Sequence, residues 1–292
     1  MKEEEMSKVT SATRYLLNNG HKIPVAGFGV YQTDKAVVPS LVYKAMEVGY
    51  RHFDSAQAYR NEEETCEGIA QFLAKNPHVK RSDVFYTTKV GNKRHGYEST
   101  KQSIEESLER ARKIGYIDLF LIHSPYSDRE KRLGTWQALQ EAVDNGQVMS
   151  IGISNYGVRH MEELLNWDGL KVKPVVNQCE LQPWLHRLDI REYCAKHDIL
   201  MEAYSPLTRG EKLQDPEVKK LAEKYGYTPA QILLKWSYEQ GFIVLCKTAN
   251  PDRIEANFKA VDDVELNDEI RNAFNNPDSY KTFTWDPTVY EG

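Results

Sequence analysis

Residues 84–123 read VFYTTKVGNKRHGYESTKQSIEESLERARKIGYIDLFLIH. Val84–Thr88 is a short β-branched and aromatic run, 99–113 carries its apolar residues at helical spacing, and Leu119–His123 is a second short apolar run. Strand, helix, strand is the βαβ unit, and the same rhythm extends in both directions. Upstream lie strand candidates at Val25–Phe28 and His52–Asp54; downstream lie Met149–Ile153, Val175–Gln178, Ile199–Ala203 and Ile243–Leu245. The helix candidates between them are Ser40–Val48, Glu63–Leu73, Ser99–Lys113, Thr135–Asn145, Arg159–Asn166, Ile190–His197, Pro216–Tyr225 and Pro229–Gln240. A hairpin is expected around Asn18-Asn19-Gly20, ahead of the first unit. Eight alternations without a Pro/Gly-rich linker or a composition shift point to an α/β fold, one closed (β/α)8 TIM barrel spanning residues 1–292. The segment after Asn276 has little periodicity but holds Tyr280, Phe283, Trp285 and Tyr290, so an ordered C-terminal tail packed on the barrel is expected.

Composition narrows the function. The 292 residues are 40% hydrophobic and 28% charged, enough to bury a large core, and the net charge of −5 offers no basic footprint for nucleic acid or a membrane surface. No apolar run has the length of a membrane span, and the leading MKEEEMSKVTSATRY has no signal-peptide core, so a cytoplasmic monomer acting on a small molecule is the expectation. Cys66, Cys179, Cys194 and Cys246 are widely spaced, which suits reduced, structural thiols and no metal framework. Gly27-Phe28-Gly29-Val30-Tyr31-Gln32 lacks the third glycine of the Rossmann dinucleotide fingerprint, so any dinucleotide binds in another way.

In a barrel of this kind the reactive groups sit at the C-terminal ends of the strands. Four candidates fall there: Asp54, Tyr59 in the loop just after it, Lys89 and His123. Singly, each has a bland reading, as a helix cap, a packed aromatic, a solvated ammonium or a hydrogen-bonded core histidine. Together they describe a proton donor. A phenol titrates near ~10 and is a poor acid at neutral pH unless an adjacent cation favours its phenolate. Lys89 is placed to supply that cation, Asp54 to hold it, and the neutral imidazole of His123 to donate to a carbonyl oxygen.

At this point the residues resemble a family. Gly49-Tyr50-Arg51-His52-Phe53-Asp54-Ser55-Ala56-Gln57-Ala58-Tyr59-Arg60-Asn61-Glu62 is similar to the aldo-keto reductase signature. The resemblance continues through Lys89, Leu121-Ile122-His123-Ser124-Pro125, Gly152-Ile153-Ser154-Asn155, Asn177-Gln178, Ala203-Tyr204-Ser205-Pro206-Leu207 and Lys247-Thr248-Ala249-Asn250-Pro251-Asp252-Arg253. It implies a catalytic tetrad of Asp54, Tyr59, Lys89 and His123, and direct hydride transfer from NADPH to a carbonyl carbon. It further implies that Ser154, Asn155 and Gln178 bond the nicotinamide carboxamide, that Tyr204 stacks on the ring, and that Ser205 and Leu207 meet the pyrophosphate. Lys247, Thr248, Asn250 and Arg253 match the 2′-phosphate pocket, and Asn257 an adenine contact. Two cations among donors, just ahead of a helix N-terminus, suit a phosphomonoester.

The chain also departs from that pattern. Cys246 stands where relatives have Pro, Ala256 where they commonly carry Glu, and Val90-Gly91-Asn92 where many place an aromatic, so a more open pocket is expected. Tyr31, Tyr126 and Trp285, with Trp184 beside them, are the remaining candidates for the substrate wall. The combination looks most like fungal and bacterial reductases of ketones and keto esters. Two other readings compete: a non-catalytic NADPH-binding barrel acting as sensor or subunit, and Schiff-base chemistry at Lys89.

Overall fold

The computed structural model describes residues 8–292; residues 1–7, on which the missing signal peptide partly rested, lie outside the described residues. Two short strands, β1 (Arg14–Leu16) and β2 (Lys22–Pro24), form the expected antiparallel hairpin. Eight parallel strands then close on themselves: β3 (Ala26–Gly29), β4 (His52–Asp54), β5 (Phe85–Val90), β6 (Ile117–Ile122), β7 (Val148–Ser154), β8 (Val176–Glu180), β9 (Leu200–Tyr204) and β10 (Ile243–Cys246), with β10 paired to both β9 and β3. The fold is a (β/α)8 TIM barrel. Every strand expected from the sequence is present, with ends shifted by a residue or two.

The surrounding helices are α1 (Val38–Val48), α2 (Glu62–Lys75), α3 (Tyr97–Arg110), α4 (Arg129–Asp144), α5 (Val158–Leu165), α6 (Leu188–Lys196), α7 (Pro216–Lys224) and α8 (Pro229–Glu239), followed by α9 (Ile254–Asp263) and α10 (Asp268–Ala273). Their starts are chemically specified. The Asp215 carboxylate accepts from the backbone N–H of Glu217 at 3.0 Å to open α7. Thr228 and Gln231 cap each other reciprocally to open α8. The fourth helix begins six residues before the expected Thr135, because Asp128 caps it through the N–H of Lys131 at 2.9 Å. Its internal Gly134 is the point of close approach to α3: a Cβ there would lie 3.0 Å from the backbone nitrogen of Tyr97. The short α10, capped by Asn267, was not foreseen. None of the described helices is long and apolar enough to cross a membrane.

Two apolar layers hold the barrel. Outward-facing side chains such as Phe28, Phe53, Tyr86, Phe120, Ile151 and Val244 pack under the helices, each stabilising the fold by roughly 1.5–3 kcal/mol through burial. Inside, Phe85, Leu119, Leu121, Val176 and Ile243 fill the lower barrel, and Leu17 and Ile23 of the hairpin segment plug its floor. The upper interior is polar instead, with His52, Asp54, Thr87, Lys89, Gln178 and Glu202 all buried. Gly27 is required beside them, since a Cβ there would come within 2.9 Å of His52 Nδ1 and 2.5 Å of the Leu245 side chain. All four cysteines are buried and free; Cys246 packs outward from β10 into the layer beneath the helices.

Candidate active site

Strand register places the polar groups in one plane. Asp54 on β4 is paired with Thr87 on β5, two residues before Lys89, so their side chains rise on the same inner face. Lys89 is fully buried, and its Nζ donates to both oxygens of Asp54 at 2.6 and 2.8 Å and to the carbonyl of Ser55 at 2.9 Å. The Tyr59 hydroxyl is farther away, 3.4 Å from Nζ. His123, just past β6, packs its ring against Tyr59 at 5.5 Å, close to edge-on. The structure therefore brings all four groups together.

The electrostatics differ from the expectation in one respect. Burial and the Asp54 carboxylate hold the Tyr59 phenol well above its ordinary value, where Lys89 was expected to lower it. The reason is geometric: the Lys89 charge is neutralised by a bidentate contact with Asp54, while Tyr59 keeps only a long approach to the ammonium. Tyr59 thus carries its proton throughout the neutral range. Burial, aided by the Lys89 charge, pushes His123 down to about 3, so its imidazole is neutral and a hydrogen-bond donor. The Lys89 Nζ is fully engaged with Asp54, Ser55 and Tyr59, which disfavours its attack on a carbonyl carbon and so Schiff-base chemistry.

These groups open into one large cavity of about 1850 Å³. Its wall carries Tyr31, Tyr59, His123 and Trp285; a middle group, in strand order, of Ser154, Asn155, Gln178 and Tyr204; and, from the end of β9 to α9, Ser205, Leu207, Lys247, Thr248, Arg253, Ala256 and Asn257. The middle group is cross-braced. Tyr204 donates its hydroxyl to Asn155 Oδ1 at 2.7 Å, the Asn155 amide donates to the His123 carbonyl at 3.0 Å, and Ser154 donates to the Gln178 carbonyl at 2.7 Å. Among the described residues Lys247 makes only a 3.4 Å contact with the Gln32 carbonyl, so its charge is available to an anion. Gly91 lies on the wall with open space where a side chain would project, in keeping with the wider pocket expected there.

Three of the candidates do not line the wall: Asn250, Tyr126 and Trp184. Asn250 turns its Oδ1 inward to cap the N–H of Asp252 at 2.9 Å, so its amide oxygen orders the turn leading into α9. Tyr126 lies behind Trp285, at 5.2 Å between ring centres, and supports it from the far side. Trp184 packs on Phe274, away from the cavity. Asn250 is assigned from the family resemblance and the two aromatics as wall candidates, and residue order cannot say which way a loop side chain turns.

Other contributors were not foreseen. Glu180 at the end of β8 accepts from the N–H of Phe283 at 2.8 Å, and from the N–H and the hydroxyl of Thr284, fixing the tail over the barrel. Buried Arg187 donates to Asp286 at 3.0 Å and Thr288 at 2.7 Å. Arg209 reaches Gln32 at 3.0 Å from the opposite side of the cavity. Glu180 and Glu202 left a trace in the sequence, as carboxylates inside or ending apolar strands; Arg187 left none.

Comparison with known proteins follows from this geometry. The model of a family described as the aldo/keto reductase family matches residues 25–276. An uncharacterised oxidoreductase of Saccharomyces cerevisiae is 42% identical over 94% of this chain and 97% of its own length. A glycerol 2-dehydrogenase (NADP(+)) of Hypocrea jecorina is 41% identical over 87% of this chain and 88% of its own. Among solved structures, an aldo/keto reductase from Brucella melitensis superposes with a TM-score of 0.82 at 38% identity, covering 90% of this chain and 98% of that one.

Proposed function

Because this chain belongs to the aldo/keto reductase family, we propose that it reduces aldehydes and ketones, keto esters included, to alcohols with NADPH, acting as a single unit with Tyr59 as the general acid. The observation that carries this reading is the buried Lys89–Asp54 pair set beneath a protonated Tyr59, with neutral His123 beside it on the wall of a cavity of about 1850 Å³. In the proposed reaction His123 donates to the carbonyl oxygen and orients it, and Tyr59 delivers its proton to that oxygen as negative charge develops. Lys89, fixed by Asp54, then stabilises the phenolate left on Tyr59. When bound, NADPH supplies the hydride for the carbonyl carbon. Ser154, Asn155 and Gln178 would hold its carboxamide, Tyr204 its ring, Ser205 and Leu207 its pyrophosphate, and Lys247 with Arg253 its 2′-phosphate.

The direct test is NADPH oxidation with a panel of aldehydes, α-keto esters and simple ketones, run beside NADH. Turnover favouring NADPH supports the reading; tight NADPH binding without turnover on any carbonyl would replace it with a cofactor-binding barrel. Two variants extend the test. Lys247→Ala or Arg253→Ala is expected to weaken NADPH binding about 10- to 100-fold, the worth of one charge-assisted contact, and to leave NADH binding within about twofold. Equal losses for both cofactors in a titration would remove the 2′-phosphate assignment. Arg187→Met, which frees the tail from Asp286 and Thr288, is expected to raise the carbonyl KM about tenfold through loss of the Trp285 wall, with NADPH affinity nearly unchanged. An unchanged KM would show that the tail only closes the core.

A further inference from the structure

Below the reaction centre lies a second acid that the proton-donor argument does not use. Glu202, in the middle of β9, is completely buried. Its Oε2 accepts from Gln178 Nε2 at 3.0 Å, and the same nitrogen donates to Asp54 Oδ2 at 2.9 Å. Its Oε1 has no hydrogen-bond partner, and His52 Nε2 lies 3.4 Å from it.

His52 Nδ1 faces the Pro24 carbonyl at 3.2 Å, an acceptor, so Nδ1 carries the hydrogen and Nε2 of a neutral ring presents a lone pair. The Thr87 hydroxyl, 3.2 Å away, can meet that lone pair, but no described residue donates to Glu202 Oε1, so an ionised carboxylate would leave a bare oxygen 3.4 Å from a ring nitrogen that carries no hydrogen. A proton on Glu202, or a second one on His52, removes that bare oxygen. Burial, together with the nearby Lys89 cation, holds His52 down to about 3, so the proton falls to Glu202. Charge counting agrees: Lys89, the cation of this cluster, is matched by Asp54, and a second carboxylate beside them would leave an uncompensated charge in the barrel interior. Burial and the Asp54 charge push Glu202 up to about 8.

The amide of Gln178 inherits its orientation from the two acids. Asp54 can only accept, so Gln178 must turn its NH₂ toward Asp54 and Glu202. Its Oε1 then has no protein partner among the described residues and stands at the cavity wall, where an amide donor of a ligand would meet it.

We propose that Glu202 is a positioning residue of the reaction centre, a neutral carboxylic acid whose hydroxyl is directed at His52 and whose carbonyl oxygen clamps Gln178 with its amide oxygen facing the cofactor. The clamp rests on the reading of Gln178 as a carboxamide contact; the neutral state of Glu202 does not. The groups that face Glu202 are His52 and Asp54 from β4, Thr87 and Lys89 from β5 and Gln178 from β8, with Tyr59 above them. Because the folded-state value is raised, the folded protein holds a proton that the unfolded chain releases near its ordinary carboxyl value of about 4.3. The contribution to stability is complete below that value and is lost as pH rises toward about 8.

Infrared spectroscopy of the wild-type protein at neutral pH reads the proposal directly. A protonated-carboxyl stretch is expected, absent from Glu202→Gln and lost from the wild type in alkaline solution; no such band in the wild type would overturn the neutral state. Thermal melts give a second reading: the melting temperature of Glu202→Gln relative to wild type should climb as pH rises from about 5 to about 9, whatever its constant offset, and a flat difference would also overturn it. For the clamp, the conservative Glu202→Gln should keep NADPH affinity near the wild-type value while Glu202→Leu weakens it about tenfold. Equal affinities in the two variants would reject the positioning role. Failure of the wild type to bind NADPH at all would reject the cofactor reading and leave the infrared and melting results standing.

Discussion

Replacing Tyr59 by Phe is expected to lower kcat/KM for carbonyl reduction by about 100- to 10,000-fold, the range for removal of a positioned general acid, with NADPH affinity and melting temperature close to wild type. The hydroxyl makes one long contact, 3.4 Å to Lys89, so its removal leaves no buried group without a partner. The ring, which packs against Tyr31 at 4.9 Å and His123 at 5.5 Å, is retained in the variant. The loss therefore measures chemistry alone, about 3–5 kcal/mol of transition-state stabilisation. Steady-state kinetics on whichever carbonyl turns over best provide the test. If Tyr59→Phe kept more than about a tenth of the activity, the acid would have to be another group, and His123, neutral and adjacent, is the one the geometry offers.

Lys89→Met should produce a loss of two kinds. Activity is expected to fall by a similar factor of about 100- to 10,000-fold, because the phenolate formed on Tyr59 has no other cation beside it. Stability is expected to fall by about 3–5 kcal/mol, because Asp54, only 3% exposed, loses the ammonium that compensates it and keeps only the Gln178 amide. Urea denaturation separates the two. Pairing Lys89→Met with Asp54→Asn removes the uncompensated charge, so the double variant should recover most of the lost stability and none of the lost activity. A Lys89→Met protein as stable as wild type would mean that the ion pair contributes nothing to the fold, and an active one would remove Lys89 from the mechanism.

Much of this was legible along the chain. Alternating runs such as Val84–Thr88 and Leu119–His123 reveal strands because burial on both faces demands continuous apolar residues, and those runs ended up adjacent in the barrel. Asp54, Lys89 and His123 could be found because strand ends in a closed barrel converge on one face, so position along the chain stands in for position in space. The start of α4 was misplaced because the contact that sets it, the Asp128 carboxylate on the N–H of Lys131, exists only in the folded chain.

The sequence by itself determined the barrel, the identity of the groups around Tyr59 and the family, since periodicity and local motif are properties of residue order. The tertiary structure alone decided how those groups share their charges. That Lys89 is neutralised by Asp54 and leaves Tyr59 protonated, that Asn250 turns inward to cap its own loop, that Arg187 ties down the tail, and that Glu202 sits against His52 all depend on distances between residues far apart in the chain. Proton occupancy is set by the nearest charges and by access to water. Neither quantity exists until the barrel has closed.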